Sequence, residues 1–237
     1  MALRTIAAVL VFFALSVTPA WSQADISADQ CAIDDGNRLV AQGRYEEAMR
    51  SYKRVSPASG EEYATALYNI GVCNYELWRT TDAIEFYRHA IRQRQGAYPK
   101  ASYALGVALE DLKRIHEAIE AYKEAVSTGN GTYAAAANYR LGVIAAMAGD
   151  ANEAARLFRR ALDHPGEHVS ASHNNLGVML ARLDRLAEAE KEFTIALRLS
   201  NGSFLDAAHN LKLCRQLMSA NTWVANLSTL RVTDRID

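Results

Sequence analysis

The segment Leu105-Gly106-Val107-Ala108-Leu109, followed by Ala118-Ile119-Glu120-Ala121-Tyr122, decides the fold, because nearly the same text recurs along most of the chain. Glycines stand at Gly36, Gly71, Gly106, Gly142 and Gly177, at steps of 35, 35, 36 and 35 residues. Alanines Ala48, Ala83, Ala118, Ala154 and Ala189 keep the same steps, each 12 residues after its glycine. An aromatic follows each alanine four residues later, at Tyr52, Tyr87, Tyr122, Phe158 and Phe193. Five copies in one register define a repeat architecture, in which each unit buries its apolar face only against its neighbours.

Around the glycine, positions such as Leu67, Ile70, Gly71 and Asn74 fall at i, i+3, i+4 and i+7, one stripe of an α-helix. A glycine inside a helix costs about 1 kcal/mol against alanine. Its recurrence therefore implies a close helix contact that a Cβ would obstruct. Ala83 and Ala90 allow the same approach from the second helix, with Tyr87 expected to fill the space between units. Helices are expected over about residues 30–42 and 46–55, with further cycles opening at Glu61, Lys100, Tyr133 and Ser170. A last helix over about 203–218 carries Lys212 where the other units have their packing glycine, and serves as a terminal cap. Gly43 and Gly149 turn two hairpins, and Trp78, Lys113 and Asp184 stand at the same register in the others. Pro57, Pro99 and Pro165 fall between units, where helix breakers belong.

The composition is that of an ordered chain, 50% hydrophobic and 22% charged. A formal net charge of −1 gives no basic excess for nucleic acid and no polybasic run for anionic lipid. Residues 1–24 read as a secretory signal peptide: Arg4, an apolar run of 12 residues from 6 to 17, then Ser22-Gln23-Ala24 before the cleavage point. The alternative is a membrane anchor, but the apolar run falls short of the roughly 20 residues needed to span a bilayer. Residues 25–219 form the solenoid and 220–237 a tail that leaves the register, with Trp223, Val224, Leu227 and Leu230 available for one amphipathic turn. Export to the periplasm or beyond is thus expected, with no membrane span in the mature chain. Cys31, Cys73 and Cys214 are odd in number and far apart in the register, so all three read as small buried hydrophobes.

Leu-Gly in the first helix and Ala with Phe or Tyr four later in the second, in a helix–turn–helix unit, resembles the tetratricopeptide pattern over residues 30–218. The resemblance implies an all-α, right-handed solenoid of about five helix–turn–helix repeats plus a C-terminal capping helix. It also implies a non-catalytic scaffold that holds a partner protein or extended peptide in its concave groove, in the cell envelope. The residues of this chain at the groove register are Tyr68, Asn69, Lys100, Tyr103, Tyr139, Arg140, Asn174, Asn175, His209 and Asn210. Tyrosines offer broad apolar faces with a polar tip, and asparagine amides donate to and accept from peptide main chain at once. Asn69, Asn175 and Asn210 resemble the groove asparagines of such superhelices, although Ala104 and Arg140 interrupt the row. Lys100 and Arg140 offer the alternative of a carboxylate clamp. Two further readings stay open: a self-associating structural protein, and a solenoid that binds a sugar or lipid on its tyrosine row.

Motifs for catalysis are lacking: no phosphate loop, nucleophile elbow or Cys–His pair occurs. His164, His168 and His173 lie near one loop, but their spacing matches no zinc pattern and they read as surface histidines. No cofactor or metal is expected. Glu46-Glu47 and Glu61-Glu62 begin helices, where acids favour the helix dipole.

Overall fold

A computed structural model describes residues 27–129, 131–220 and 229–234; the leader reading of residues 1–24 and the turn expected around Trp223, Val224 and Leu227 lie outside them. The described residues form five helical hairpins and a cap: α1 (Ala28–Ala41) with α2 (Tyr45–Tyr52), α3 (Glu61–Glu76) with α4 (Thr80–Gln93), α5 (Pro99–Asp111) with α6 (Ile115–Thr128), α7 (Thr132–Met147) with α8 (Ala151–Ala161), α9 (His168–Arg182) with α10 (Leu186–Leu199), and α11 (Leu205–Ala220). Each helix packs on its hairpin partner, and each second helix packs on the first helix of the next unit. This is an all-α solenoid. Among the described residues no helix is long and apolar enough to cross a membrane.

The first helix of each hairpin ends in the same way. In the first hairpin, the Gly43 N–H donates to the Val40 carbonyl and the Arg44 N–H reaches back to Leu39, 2.8 and 2.9 Å away. These two bonds satisfy carbonyls that the helix end leaves orphaned, and they demand a left-handed residue at the turn. The same φ, between +61° and +84°, occurs at Gly43, Trp78, Lys113, Gly149 and Asp184. Three side chains therefore sit where glycine is the unstrained choice.

The repeated glycine is explained by its hairpin partner. A Cβ on Gly36, Gly71, Gly106, Gly142 or Gly177 would lie closer than 3 Å to the ring of Tyr52, Tyr87, Tyr122, Phe158 or Phe193 respectively. Each ring is buried. The aromatic four residues after the alanine thus packs against the glycine of its own unit, and Tyr87 also belongs to the core cluster that reaches the next unit.

The apolar interior runs along the array in three linked clusters, about α1–α3, α3–α7 and α7–α11. Leu230 is buried in the last of these and Val232 packs on it, so residues 230–232 are docked on the array. Cys73 and Cys214 are buried as expected, and burial pushes both thiols up to about 11. Cys31, however, is exposed on α1. His168 departs from the surface reading too: it is buried, with Nε2 2.8 Å from the Ala161 carbonyl, where it joins the start of α9 to the end of α8. His173 pairs instead with Glu192, Nδ1 to carboxylate 2.6 Å.

Candidate functional site

The first helices α1, α3, α5, α7, α9 and the cap α11 carry the residues at the groove register, and the structure sorts them into two sectors.

The first sector spans α1 to α5. Tyr68 lies between Tyr87 and Tyr98, with ring centroids 5.7 and 5.8 Å away, and Lys100 Nζ sits 4.5 Å above its ring. Burial pulls the Lys100 ammonium below its usual pKa, since a half-desolvated charge is disfavoured and the ring replaces part of its hydration. Tyr103 packs in the same way between Tyr122 and Tyr133, at 5.9 and 6.2 Å. Asn69 donates to the amide oxygen of Asn37 at 3.2 Å, and the Tyr52 hydroxyl donates to the same oxygen at 2.8 Å. Asn37 was not anticipated at the groove. Its signal was its place one residue after the glycine of the first unit, where the other units have apolar residues.

Between the sectors stands an ion pair. Arg140 on α7 meets Glu110 on α5 at 2.8 Å, with both side chains about one-fifth exposed, and Glu110 also accepts from the Tyr122 hydroxyl at 2.8 Å. Burial works against the charge on Arg140, but Tyr122 and Glu110 more than offset this and hold its pKa above the ordinary guanidinium value. Arg140 is thus tied across two units and is not a free carboxylate clamp.

The second sector, from α7 to α11, holds a strand of peptide main chain contributed by the chain itself. Residues 230–234 have no regular secondary structure of their own. The amide of Asn210 accepts from the Arg231 N–H and donates to the Arg231 carbonyl, both at 2.9 Å. The amide of Asn175 does the same for Thr233, both at 2.7 Å. Main-chain groups of alternate residues facing one side are the mark of an extended segment. Successive units are thereby matched to successive pairs of residues, a step of roughly 7 Å at about 3.4 Å per residue.

The remaining contacts close the sector. Asn174 links the two amides: its Oδ1 accepts from Asn210 at 2.8 Å, and its Nδ2 reaches the Arg231 carbonyl at 3.2 Å and the Thr233 hydroxyl at 3.1 Å. The Tyr139 hydroxyl donates to the Thr233 carbonyl at 2.7 Å, and Arg140 donates to the Asp234 carbonyl at 2.8 Å. His209 Nε2 lies 3.3 Å from the Thr229 carbonyl, and Asp206 meets the Arg231 guanidinium at 3.3 Å.

The sequence-selected residues thus lie along one face, but several do not present themselves as expected. Tyr139 is fully buried against Phe158 and His168, and only its hydroxyl serves the groove. Asn174, Asn175 and Asn210 are fully buried as well, and the segment 229–234 is among what buries them. Asp206, Arg231 and Thr233 were missed. The signal available was an alternation of apolar Leu230 and Val232 with polar neighbours, in a stretch outside the repeat register. Among the described residues no cluster of three or more His, Cys, Asp or Glu could hold a metal. One apolar cleft of about 430 Å³, lined by Ile119, Val126, Leu141, Ile144 and Leu157 among others, touches none of these groove residues.

The tetratricopeptide repeat family model matches residues 33–98, 90–133, 103–168 and 139–204. No curated protein sequence matches the chain. Among solved structures, the chain is similar to MamA, with a TM-score of 0.58 at 23% identity over 70% of this chain and 94% of that one. MamA from Desulfovibrio magneticus RS-1, residue 41 to its end, gives 0.57 at 22% identity over 75% and 98%. YrrB, described as a TPR protein with an unusual peptide-binding site, gives 0.57 at 23% identity over 76% and 90%. At such identities the likeness is one of fold.

Proposed function

The chain belongs to the tetratricopeptide repeat family, and from that premise we propose that it is a non-catalytic scaffold that binds an extended segment of a partner protein along the face formed by α1, α3, α5, α7, α9 and α11. The observation that carries this is the paired amide contact: Asn175 and Asn210 each satisfy both the N–H and the C=O of one residue of an extended segment. Such contacts read main chain whatever the side chains, while the tyrosines around Tyr68 and Tyr103 supply apolar surface at low entropy cost. The peptide-binding site described for YrrB sits on the same kind of fold. The apolar leader-like run in residues 6–17 supports an exported chain that works in the envelope.

A photo-crosslinking amino acid placed at Asn69, in the first sector, tests this in cells that make the protein. The expected result is a covalent adduct with a partner polypeptide at position 69 and none from the same probe at Trp78, in the exposed hairpin turn. No adduct at 69, or equal adducts at both positions, overturns the reading.

A further inference from the structure

We propose that the second sector of the groove is a selective peptide site that the chain fills in cis with its own residues 229–234, so that a partner enters as an extended segment of the same pattern and must displace this one. The proposal rests on the groove reading above and adds which segment the sector takes and what controls its access.

The pattern is read from the contacts. At the positions of Leu230 and Val232 the sector wants apolar side chains, since the first is buried in the α7–α11 cluster and the second packs against it. At the position of Thr233 it wants a hydroxyl: the side chain is 9% exposed and its oxygen accepts from Asn174 at 3.1 Å. At Arg231 it is permissive, because the side chain is more than half exposed and its contact with Asp206 is long, at 3.3 Å. An exposed pair of that kind adds little selectivity. The occupant is therefore apolar–variable–apolar–hydroxyl, running from α11 toward α7.

The segment is held by many side chains at once. Side chains of Tyr139, Arg140, Asn174, Asn175, His209 and Asn210 all end on polar atoms of residues 229–234, most of them main-chain atoms. Every main-chain polar group at 231 and 233 is matched. A segment joined to the array through the same chain competes at an effective concentration of order millimolar. A free peptide of equal intrinsic affinity must overcome that advantage, which makes the tail a built-in competitor.

Anisotropy of a labelled peptide of residues 229–234 titrated with the full chain tests this. Thr233→Pro in the protein removes the N–H that Asn175 accepts, and so should release the tail while leaving the array intact. The expected result is at least tenfold tighter peptide binding by the Thr233→Pro chain than by wild type. That gain should be lost on adding Asn175→Ala, and weakened tenfold when the peptide carries Val in place of its Thr. Equal binding by wild type and Thr233→Pro, or no binding by a Thr233→Pro chain with native circular dichroism, overturns the proposal. Should Thr233→Pro fail to fold, Arg231→Pro replaces it, and hydrogen exchange at the Arg231 and Thr233 amides of wild type decides independently: slowed exchange that Asn175→Ala and Asn210→Ala abolish supports docking, and exchange at the unprotected rate overturns it. A crosslink at Asn69 with a failed peptide arm sinks the tail proposal alone; loss of both sinks the groove reading as well.

Discussion

Replacing Gly106 with alanine should lower stability, and should raise it once Tyr122 is gone. An alanine Cβ at 106 would stand 2.6 Å from Tyr122 Cδ1 and 2.9 Å from Cζ, with Cε1 nearer still. The ring has nowhere to go: it is fully buried, and its hydroxyl is held by Glu110, itself paired with Arg140. Forcing an extra methyl into such a site costs about 1–3 kcal/mol, and pulling the hydroxyl away from Glu110 adds about 1 kcal/mol. Against this, alanine gains about 1 kcal/mol of helix propensity over glycine. The net expectation is a loss of about 1–3 kcal/mol. Tyr122→Ala alone should cost about 3–5 kcal/mol by leaving a cavity. In that background Gly106→Ala meets no ring and recovers its propensity gain of about 1 kcal/mol. Equilibrium urea unfolding, read by far-ultraviolet circular dichroism, measures all four chains, and with a slope of order 1–3 kcal/mol per molar the midpoints should separate by about 1 M. The decisive quantity is the sign reversal, a coupling of about 2–4 kcal/mol between two positions in contact. A stabilising Gly106→Ala in the wild-type background, or the same destabilisation in both backgrounds, would show that the glycines are not there for the aromatic rings.

Two other expectations follow from the same geometry. Trp78 has φ +61° and its side chain is 92% exposed, so Trp78→Gly should relieve left-handed strain and raise stability in urea by about 1 kcal/mol net of the added chain entropy; a fall in stability refutes this. Burial raises the pKa of Tyr52, Tyr68, Tyr87, Tyr122 and Tyr139 above 10.0, the value for an exposed phenol. In the folded chain these phenols stay protonated while unfolded ones ionise, so the stability they contribute is fully present below pH 10 and is lost as pH rises toward their folded values. The share of phenolate absorbance owed to these five of the chain's 11 tyrosines should therefore rise in one cooperative step together with loss of helical dichroism, well above pH 10. Titration of all 11 tyrosines centred at about pH 10 with helices intact would contradict the burial.

What the sequence made legible was everything tied to the period. The five hairpins, the cap, the packing glycines and the left-handed stand-ins Trp78, Lys113 and Asp184 all follow from the register, because a period records which way a residue faces relative to its neighbours along the array. Helix ends moved by a few residues where local capping decided them. α5 begins at Pro99, which suits a first helical position, and α2 stops at Tyr52 ahead of Ser56-Pro57. The register does not record what lies across a face. Asn174, Asn175 and Asn210 share one face of the array, yet they are buried, because a segment outside the repeat lies over them. His168 escaped for a similar reason: its partner, the Ala161 carbonyl, is an orphaned helix end that only the turn between two units brings near.

The division of the groove has a consequence for any partner that uses it. Asparagines line both ends of the array, Asn37 and Asn69 in the first two units and Asn174, Asn175 and Asn210 in the last unit and the cap, with Ala104 and Arg140 between. That gap is filled by the Glu110–Arg140 pair, and the outer face of Arg140 closes the ladder by donating to the Asp234 carbonyl. Removing one partner of the pair strands a mostly desolvated charge, at about 3–5 kcal/mol, so the divider is costly to dismantle. A short partner segment seated on Tyr68, Asn69 and Tyr103 leaves the tail where it is. A longer one that continues past Arg140 meets amides already satisfied, and gains there only what its own apolar and hydroxyl side chains add beyond Leu230, Val232 and Thr233. On the proposal above, specificity in the second sector would be set against an internal standard, and the affinity of a two-sector partner would measure how far it exceeds residues 229–234 of this chain.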